Sequence, residues 1–428
     1  MMTKFSMRHC SVLIVLFLGA RAQAQAPSLS LEEAFKAALG RMESIAIEES
    51  RTRQADERAR QARGSFLPHL SAGVAYVRQD SPEITAPAPS PLASLTKADQ
   101  ITSRITLTQS LFKGLSDIQR FRASLSSAEA QRLVTENTKL LLYGTVSQAF
   151  YRVLAAEKDL ANLESLVEIA DKRNKSLAAF TKLGRSRRSD LVTSRSQLAL
   201  LKADAASAAS TAATARHQLA YLTGLPVDSK LAEGPAALPE RLPSLETYLV
   251  ALEERPDILA LRSQERVAEA NVRATKGVYW PALDLTANYY PQRTGLLEDS
   301  KWDVGVSLVL PLYQGGALSS QVRESVEART ESSLLLGQAR REARMSVENY
   351  YKIASGGLAQ LKLYREALEL VEETYRQVER DFGVGAVTNL EVLQALDNLA
   401  DARRSVDRVK YETSISLAQL AVAQGKIP

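Results

Sequence analysis

Two stretches decide the fold of this chain: YWPALDLTAN at 279–288 and WDVGVSLVLPL at 302–312. In both, apolar and polar side chains alternate, and aromatic residues stand at the ends. The apolar positions are Leu283, Leu285, Ala287, Tyr289, Trp302, Val304, Val306, Leu308 and Leu310. Strands of about ten residues with one apolar face, one polar face and aromatic ends are typical of membrane β-barrels. For one hairpin alone, an amphipathic hairpin packed on a soluble core remains the alternative.

The N-terminal segment has the pattern of a secretory signal peptide over residues 1–24. Lys4 and Arg8 precede an apolar run from Val12 to Ala20, and AQA at 22–24 supplies a small-x-small cleavage site. The only cysteine lies inside this segment, so we expect no disulfide in the mature chain. Removing the three cations of the segment lowers the formal charge from +5 to 5 − 3 = +2, and we draw no nucleic-acid function from it.

No other stretch approaches the roughly 20 apolar residues that a membrane-spanning helix requires. If the mature chain enters a bilayer, it must therefore do so through strands that close into a barrel. The sequence predicts four such strands, near 66–78, 101–112, 280–290 and 302–312. A Pro- and Ser-rich loop from Ser81 to Ser94 joins the first two, and we expect this loop to lie outside the cell.

The remaining sequence predicts helices, two of them very long. The capping-box pattern Ser30–Glu33 opens an N-terminal helix that is expected to run to about Arg63. Leu115 to Leu183 and Ala317 to Val384 show helical periodicity without an internal proline, which corresponds to roughly 100 Å each at 1.5 Å per residue. No single globular core requires helices of that length.

The chain is an internal tandem repeat, with residues 25–243 as the first copy and 244–428 as the second. Gly114, Gly184 and Gly224 recur as Gly315, Gly385 and Gly425, each 201 residues later (315 − 114 = 201). Pro68 and Pro281 match at 281 − 68 = 213, so the first copy holds about a dozen extra residues between its strands. These positions are also where the helices are expected to break.

Helix lengths suggest how the copies assemble. Each long helix needs a returning path built from two shorter helices stacked end to end. We expect the helix that starts at Leu191 to stack on the one that starts at Leu245, and the C-terminal helix to stack on the N-terminal one. Four strands cannot close a barrel and open edges are not tolerated in lipid, so two, three or more copies must associate.

Several motifs together resemble the TolC-type outer-membrane efflux and export duct family, also called outer membrane factors. The resemblance covers essentially the whole mature chain. It rests on RPDI at 255–258, on Ala268 and Ala270 leading into YWPALDL at 279–285, on LYQGG at 312–316, and on FGVGAVTNLEVL at 382–393.

The resemblance implies a mixed α and β membrane protein: a homotrimer with a twelve-stranded transmembrane β-barrel and a twelve-helix periplasmic coiled-coil tunnel. It implies location in the outer membrane of a Gram-negative bacterium, contact with outer-membrane lipid, and docking to a periplasmic adaptor driven by an inner-membrane pump. The turns at Gly184 and Gly385 become periplasmic tips. The residues assigned to adaptor contact are Gly184, Arg185, Ser186, Gly385, Val387 and Thr388.

Two groups of polar residues are candidates for the conducting path. Asp190 and Glu391 each follow a tip glycine by six residues and either gather at a narrow periplasmic gate or merely favour the first turn of a helix. Where the family often has a second acid one turn further on, this chain has Gln394, and the first tip is unusually basic. The candidate barrel-lumen residues, with simple solvation as the alternative, are Arg104, Thr106, Asp284, Thr286, Asn288 and Asp303.

We expect no enzyme activity, because the three histidines form no cluster at catalytic or ligand spacing and no phosphate-binding loop follows a strand. No cofactor or metal site is expected either. The favoured function is passive conduction of cargo across the periplasm and outer membrane, with efflux transport as the main case. The alternatives are an exit duct for type I protein secretion and a non-transporting coiled-coil scaffold of the envelope.

Overall fold

The computed structural model describes residues 28–80, 98–233, 238–294 and 297–428. The predicted signal peptide and the Ser81 to Ser94 loop lie outside these described residues. The elements, in chain order, are α1 (Leu31–Arg41), α2 (Glu43–Gly64), β1 (His69–Arg78), β2 (Asp99–Lys113), α3 (Ser116–Lys182), α4 (Arg188–Thr223), α5 (Leu245–Leu249), a 3₁₀ turn (Val250–Glu254), α6 (Pro256–Gly277), β3 (Ala282–Arg293), β4 (Trp302–Val309), α7 (Ala317–Gly383) and α8 (Asn389–Ala423).

The two copies of the repeat build the same elements at the same spacing. The long helices α3 and α7 have 67 residues each, and their first residues differ by 317 − 116 = 201. At 1.5 Å per residue each is about 100 Å long. The helices α2 and α6 have 22 residues each and lead into β1 and β3. The duplication is therefore structural as well as sequential.

The four strands form one antiparallel sheet in the order β1-β2-β3-β4. β1 and β3 each begin at the residue after a proline, Pro68 or Pro281. β4 ends at Val309, three residues before the predicted end at 312. Proline 311 explains the difference, because it has no amide hydrogen to donate to a neighbouring strand.

The N-terminal helix is not continuous as predicted, although the Ser30–Glu33 capping box forms. It breaks at Met42, whose backbone is extended at φ −69° and ψ 118°. The equivalent position of the second copy, Arg255, is also extended, at φ −60° and ψ 137°, and separates the 3₁₀ turn from α6. Both copies therefore break at the same place.

The predicted stacking of the shorter helices is wrong. The end of α4 at Gly224 lies against Arg41, where α1 gives way to α2, and the end of α8 at Gly425 lies against Arg255 and Pro256 at the start of α6. α3 accordingly packs along both α2 and α4, and α7 along both α6 and α8. Each returning path is thus built within one copy. The repeat symmetry allows either pairing, so helix lengths could not distinguish them.

The RPDI motif fixes the second of these junctions. The Arg255 guanidinium donates two hydrogen bonds to the Asp257 carboxylate, from Nε at 2.9 Å and from Nη2 at 2.7 Å, and a third to the carbonyl oxygen of Ala423. Asp257 in turn accepts from the amide of Ile258 in the first turn of α6. One arginine therefore joins the C-terminus of α8 to the N-terminus of α6.

The apolar core runs along the helical body in separate clusters. At mid-height, side chains from α1, α3, α4 and α8 surround the edge-on pair Phe35 and Tyr143, whose ring centroids are 5.2 Å apart. Nearer the tips, Leu163 and Leu166 of α3 pack against Val392 and Leu396 of α8. None of the helices in the described ranges is long and apolar enough to cross a membrane.

Candidate functional site

A ladder of polar side chains crosses the sheet on one face. Thr106 of β2 is paired with Asn288 of β3, which is paired with Asp303 of β4. Thr106 Oγ1 donates to Asn288 Oδ1 at 2.8 Å, and Asn288 Nδ2 donates to Asp303 Oδ1 at 2.8 Å. Side chains of directly opposed residues share a face, so these three residues, each from a different strand, act as one hydrogen-bonded row.

The other candidate lumen residues lie on the same face. Thr286 is opposite Gly305, and Asp284 is opposite Ser307. Lys113 Nζ approaches Asp284 Oδ1 to 3.7 Å. Arg104 is two residues from Thr106 and sits where the β2–β3 register shifts between 103 and 105. The structure therefore brings all six predicted residues to one polar face of the sheet.

The opposite face of the sheet is apolar across all four strands and is uncovered in the single chain. One row contains Leu70, Leu107, Ala287 and Val304, and the next contains Ala72, Ile105, Tyr289 and Trp302. Leu70 is 72% exposed, Val304 57% and Trp302 69%. A soluble monomer rarely exposes a contiguous apolar surface of this kind, which marks a face that contacts lipid or another protein.

Each tip is a helix C-terminal turn that needs its glycine. Gly184 has φ +71° and Gly385 has φ +83°, a left-handed conformation that glycine adopts without strain. The Arg185 amide donates to the Phe180 carbonyl at 2.9 Å, and the Ala386 amide donates to the Asp381 carbonyl at 2.9 Å. This six-to-one bond is the signature of the Schellman motif, and both tips have it.

The two gate candidates occupy the same helical position but have different partners. Glu391 belongs to a complete capping box, because its carboxylate accepts from the Thr388 amide at 2.5 Å while Thr388 Oγ1 accepts from the Glu391 amide. These bonds hold the pKa of Glu391 below its ordinary value. Among the described residues, Asp190 Oδ2 accepts a single hydrogen bond, from Ser186 Oγ at 3.5 Å, and Arg187 at the N-cap of α4 makes no side-chain cap.

The capping geometry supports the helix-turn interpretation for Glu391. It leaves the gate interpretation of both acids untested, because side chains that cap a helix can also face a channel axis. Gln394 is exposed one turn further along α8.

An arginine that the sequence analysis missed links the two helix hairpins near the tips. Arg173 Nη2 of α3 donates to Asn389 Oδ1 of α8 at 2.7 Å, and its Cζ lies 4.4 Å from the centre of the Phe382 ring. Asn389 Nδ2 donates in turn to the carbonyl oxygen of Asp190 at 3.3 Å. This cluster, here called the tip link, joins α3, α4, α7 and α8.

A sequence signal for the tip link existed. Leu166, Ala170 and Leu177 are buried on one stripe of α3, at spacings of four and seven residues, and Arg173 falls on the same stripe. A cation at a core position is unusual and needs a partner. Burial lowers the pKa of the Arg173 guanidinium, which has no effect on its charge near neutral pH.

Among the described residues, no group of three or more His, Cys, Asp or Glu side chains could hold a metal ion.

A family model described as "Outer membrane efflux protein" matches residues 248–426. The outer membrane efflux protein BepC of Brucella suis is 26% identical over 339 residues, which are 76% of this chain and 72% of the relative. The outer membrane protein TolC of Escherichia coli is 22% identical over 397 residues, 87% of this chain and 77% of the relative. The predicted resemblance to the TolC-type outer-membrane efflux proteins is confirmed.

Solved structures agree on the fold. The outer membrane protein VceC of Vibrio cholerae superposes with a TM-score of 0.80 at 19% identity, covering 92% of this chain and 96% of that chain. The predicted fold class is confirmed: long helices and a four-stranded sheet, the architecture of the outer-membrane channels. The predicted location in the outer membrane is confirmed, and the family that the matching model describes consists of outer-membrane channels.

Proposed function

We propose that three copies of this chain form the outer-membrane duct of a tripartite efflux or export system. The observation that carries the proposal is the four-stranded sheet, apolar on one face and polar on the other, joined to helices about 100 Å long. Within the described residues β1 and β4 each pair on one side only. Open edges are not tolerated in lipid, and joining β4 of one copy to β1 of the next closes the sheet.

In this assembly the apolar face contacts outer-membrane lipid and the polar face lines the lumen. The hydrogen-bonded row of Thr106, Asn288 and Asp303 supports that orientation, because polar and charged side chains on the lipid face are destabilising, by about 2 to 4 kcal/mol for an arginine at mid-depth and by less for an aspartate. Arg104, Asp284 and Thr286 are assigned to the lumen with it. The helices of the three copies form a tunnel through the periplasm of a Gram-negative cell.

The tips are the docking ends for a periplasmic adaptor that connects the duct to an inner-membrane pump. Gly184, Arg185 and Ser186 of the first tip and Gly385, Val387 and Thr388 of the second are the proposed contacts. Asp190, Glu391 and Gln394 are the proposed gate lining. Three copies of each acid near one axis would attract cations and repel one another. Nucleic acid has no place in this function.

The purified protein tests the assembly and the conduction together. Native mass in detergent should equal about three chains, and the trimer should conduct ions in a planar lipid bilayer. In the double variant Asp190→Ala, Glu391→Ala, conductance and cation selectivity should change if the acids line the gate. If the two acids only cap their helices, the double variant should melt at a slightly lower temperature and its conductance should be unchanged. A stable monomer, or a trimer that never conducts, would exclude the duct in favour of an envelope scaffold.

A further inference from the structure

The first tip carries a cluster of cations that make no ion pair within the described part of the chain. Lys182, Arg185, Arg187 and Arg188 surround Leu183, and this group is here called the basic tip. All five residues are exposed, and Leu183 is 70% exposed. None of the four cations forms an ion pair with a described acid; Arg185 only lies over the Phe180 ring at 5.4 Å. Unpaired like charges so close together repel one another.

The turn itself does not require these charges. The second tip forms the same Schellman turn, yet the residues that occupy the four equivalent positions, 201 residues later, are all uncharged: Gly383, Ala386, Thr388 and Asn389. Val384, the equivalent of Leu183, is 82% exposed. The same fold is therefore built once with four cations and once with none, and the cations need an explanation outside the chain.

We propose that the basic tip is a docking surface for a protein partner whose contact segment carries Asp or Glu side chains around an apolar residue. The partner's acids pair with the arginines, and its apolar side chain packs on Leu183. This inference rests on the proposed function, which places the tips at the docking end, and adds that the two tips of one chain differ in what they recognise: the first binds acidic groups and the second an uncharged, apolar surface.

The difference between the tips favours a protein over an anionic membrane. A flat lipid surface would meet both tips in the same way, whereas a protein contacts each tip separately and can present different chemistry to each. Charge pairs at the rim of an interface act mainly on the association rate and on specificity. An exposed pair changes affinity by about twofold to fivefold, so reversing three arginines should weaken binding by at least about tenfold. Docking should also weaken as salt rises, since exposed charges are screened over about 10 Å at 0.1 M.

The test uses the purified trimer and two designed helical hairpins as probes. The hairpins are identical except that one carries four glutamates around a leucine in its turn and the other carries four glutamines. The test variant is Arg185→Glu, Arg187→Glu, Arg188→Glu, and the same three positions changed to Gln provide a milder variant. The matched control, Arg53→Glu, Arg58→Glu, Arg63→Glu, makes the same charge change at exposed positions of α2 that make no ion pair in the described residues.

We expect the wild type and the α2 control to bind the glutamate hairpin at least about tenfold more tightly than the glutamine hairpin. The Gln variant should bind it more weakly, the Glu variant should not bind it, and 0.5 M salt should abolish the difference. Equal binding of the two hairpins, or equal binding by the α2 control and the tip variant, would overturn the proposal. The proposal would also be overturned if the trimer bound phosphatidylglycerol vesicles through the basic tip but showed no preference between the two hairpins. The wild-type trimer is tested for bilayer conductance in parallel, so loss of conduction reports on the proposed function and not on the basic tip.

Discussion

The tip link should control how easily the two hairpins of one chain separate at their ends. In Arg173→Met the apolar stem is kept near the Phe382 ring while the guanidinium is lost. The variant removes the 2.7 Å bond to Asn389 Oδ1 and the contact to the ring at 4.4 Å. Asn389 is only 7% exposed, so its side-chain oxygen is left without a donor at a buried position.

The magnitude follows from these contacts. A hydrogen bond from a charged donor contributes about 1.5 to 3 kcal/mol, and a partly buried cation–π contact about 0.5 to 2 kcal/mol. The Nε atom of the guanidinium is buried and has no hydrogen-bond partner among the described residues, so relief of its desolvation offsets part of this sum. We therefore expect local separation of the tips to become easier by about 2 kcal/mol, which is about a thirtyfold increase in the open population.

Hydrogen exchange of the second turn of α8, at residues 393–397, whose amides have helical hydrogen bonds to lose, measures that population. Exchange there should be about thirtyfold faster in Arg173→Met, and bilayer recordings should show more frequent open events. The matched control is Lys175→Met on the same helix, because Lys175 pairs with Asp171 at 2.7 Å but its side chain is 77% exposed. Such an exposed pair contributes little. Equal exchange in the two variants would refute the role of the tip link.

Three further predictions concern stability. Leu115 has φ +61° where the second copy has Gly316 at φ +83°, so Leu115→Gly should raise the melting temperature by relieving strain of about 1 kcal/mol, and Gly316→Leu should lower it. The pKa of Glu391 is lowered in the folded protein, so its contribution to stability is present above the ordinary pKa of 4.5 and is lost as pH falls through the lower folded value. In Glu391→Gln the melting temperature should therefore depend less on pH between pH 5 and about pH 3. Arg255→Ala should cost about 2 kcal/mol in urea unfolding, whereas Arg41→Ala, at the equivalent junction but without a side-chain hydrogen bond among the described residues, should cost less.

Sequence patterns were sufficient for the fold class because the relevant forces act over short segments. Alternation in β3 and β4, the glycines at the tips and the capping box at Ser30 are all local, and the structure has each of them. The stacking of α4 on α2 was not accessible in this way. That stacking depends on which of two symmetry-equivalent helices the end of α4 meets. In the second copy the corresponding contact, between α8 and α6, is made by the side chain of Arg255 with a residue 168 positions away in the sequence.

The polar residues also divide into those that a local sequence pattern predicts and those that it does not. The six lumen candidates follow from strand alternation, which assigns a face to each residue as soon as the strand is known. The tip link does not, because Arg173, Asn389 and the Asp190 carbonyl come from three helices. Only the position of a cation on a core stripe indicated that a partner was needed, and the sequence gives no means of choosing Asn389 among the polar residues of the facing helices.

The two copies of the repeat separate what the assembly requires from what its partners require. The lengths of α3 and α7 are identical, and α2 matches α6. Equal lengths fit the proposed tunnel, whose wall would alternate between helices of the two copies. The chemistry at the ends of these helices is not matched in this way: four cations at one tip correspond to four uncharged residues at the other. At the tips the geometry is duplicated but the charge is not, so the two tips differ in the contacts that they can make outside the chain.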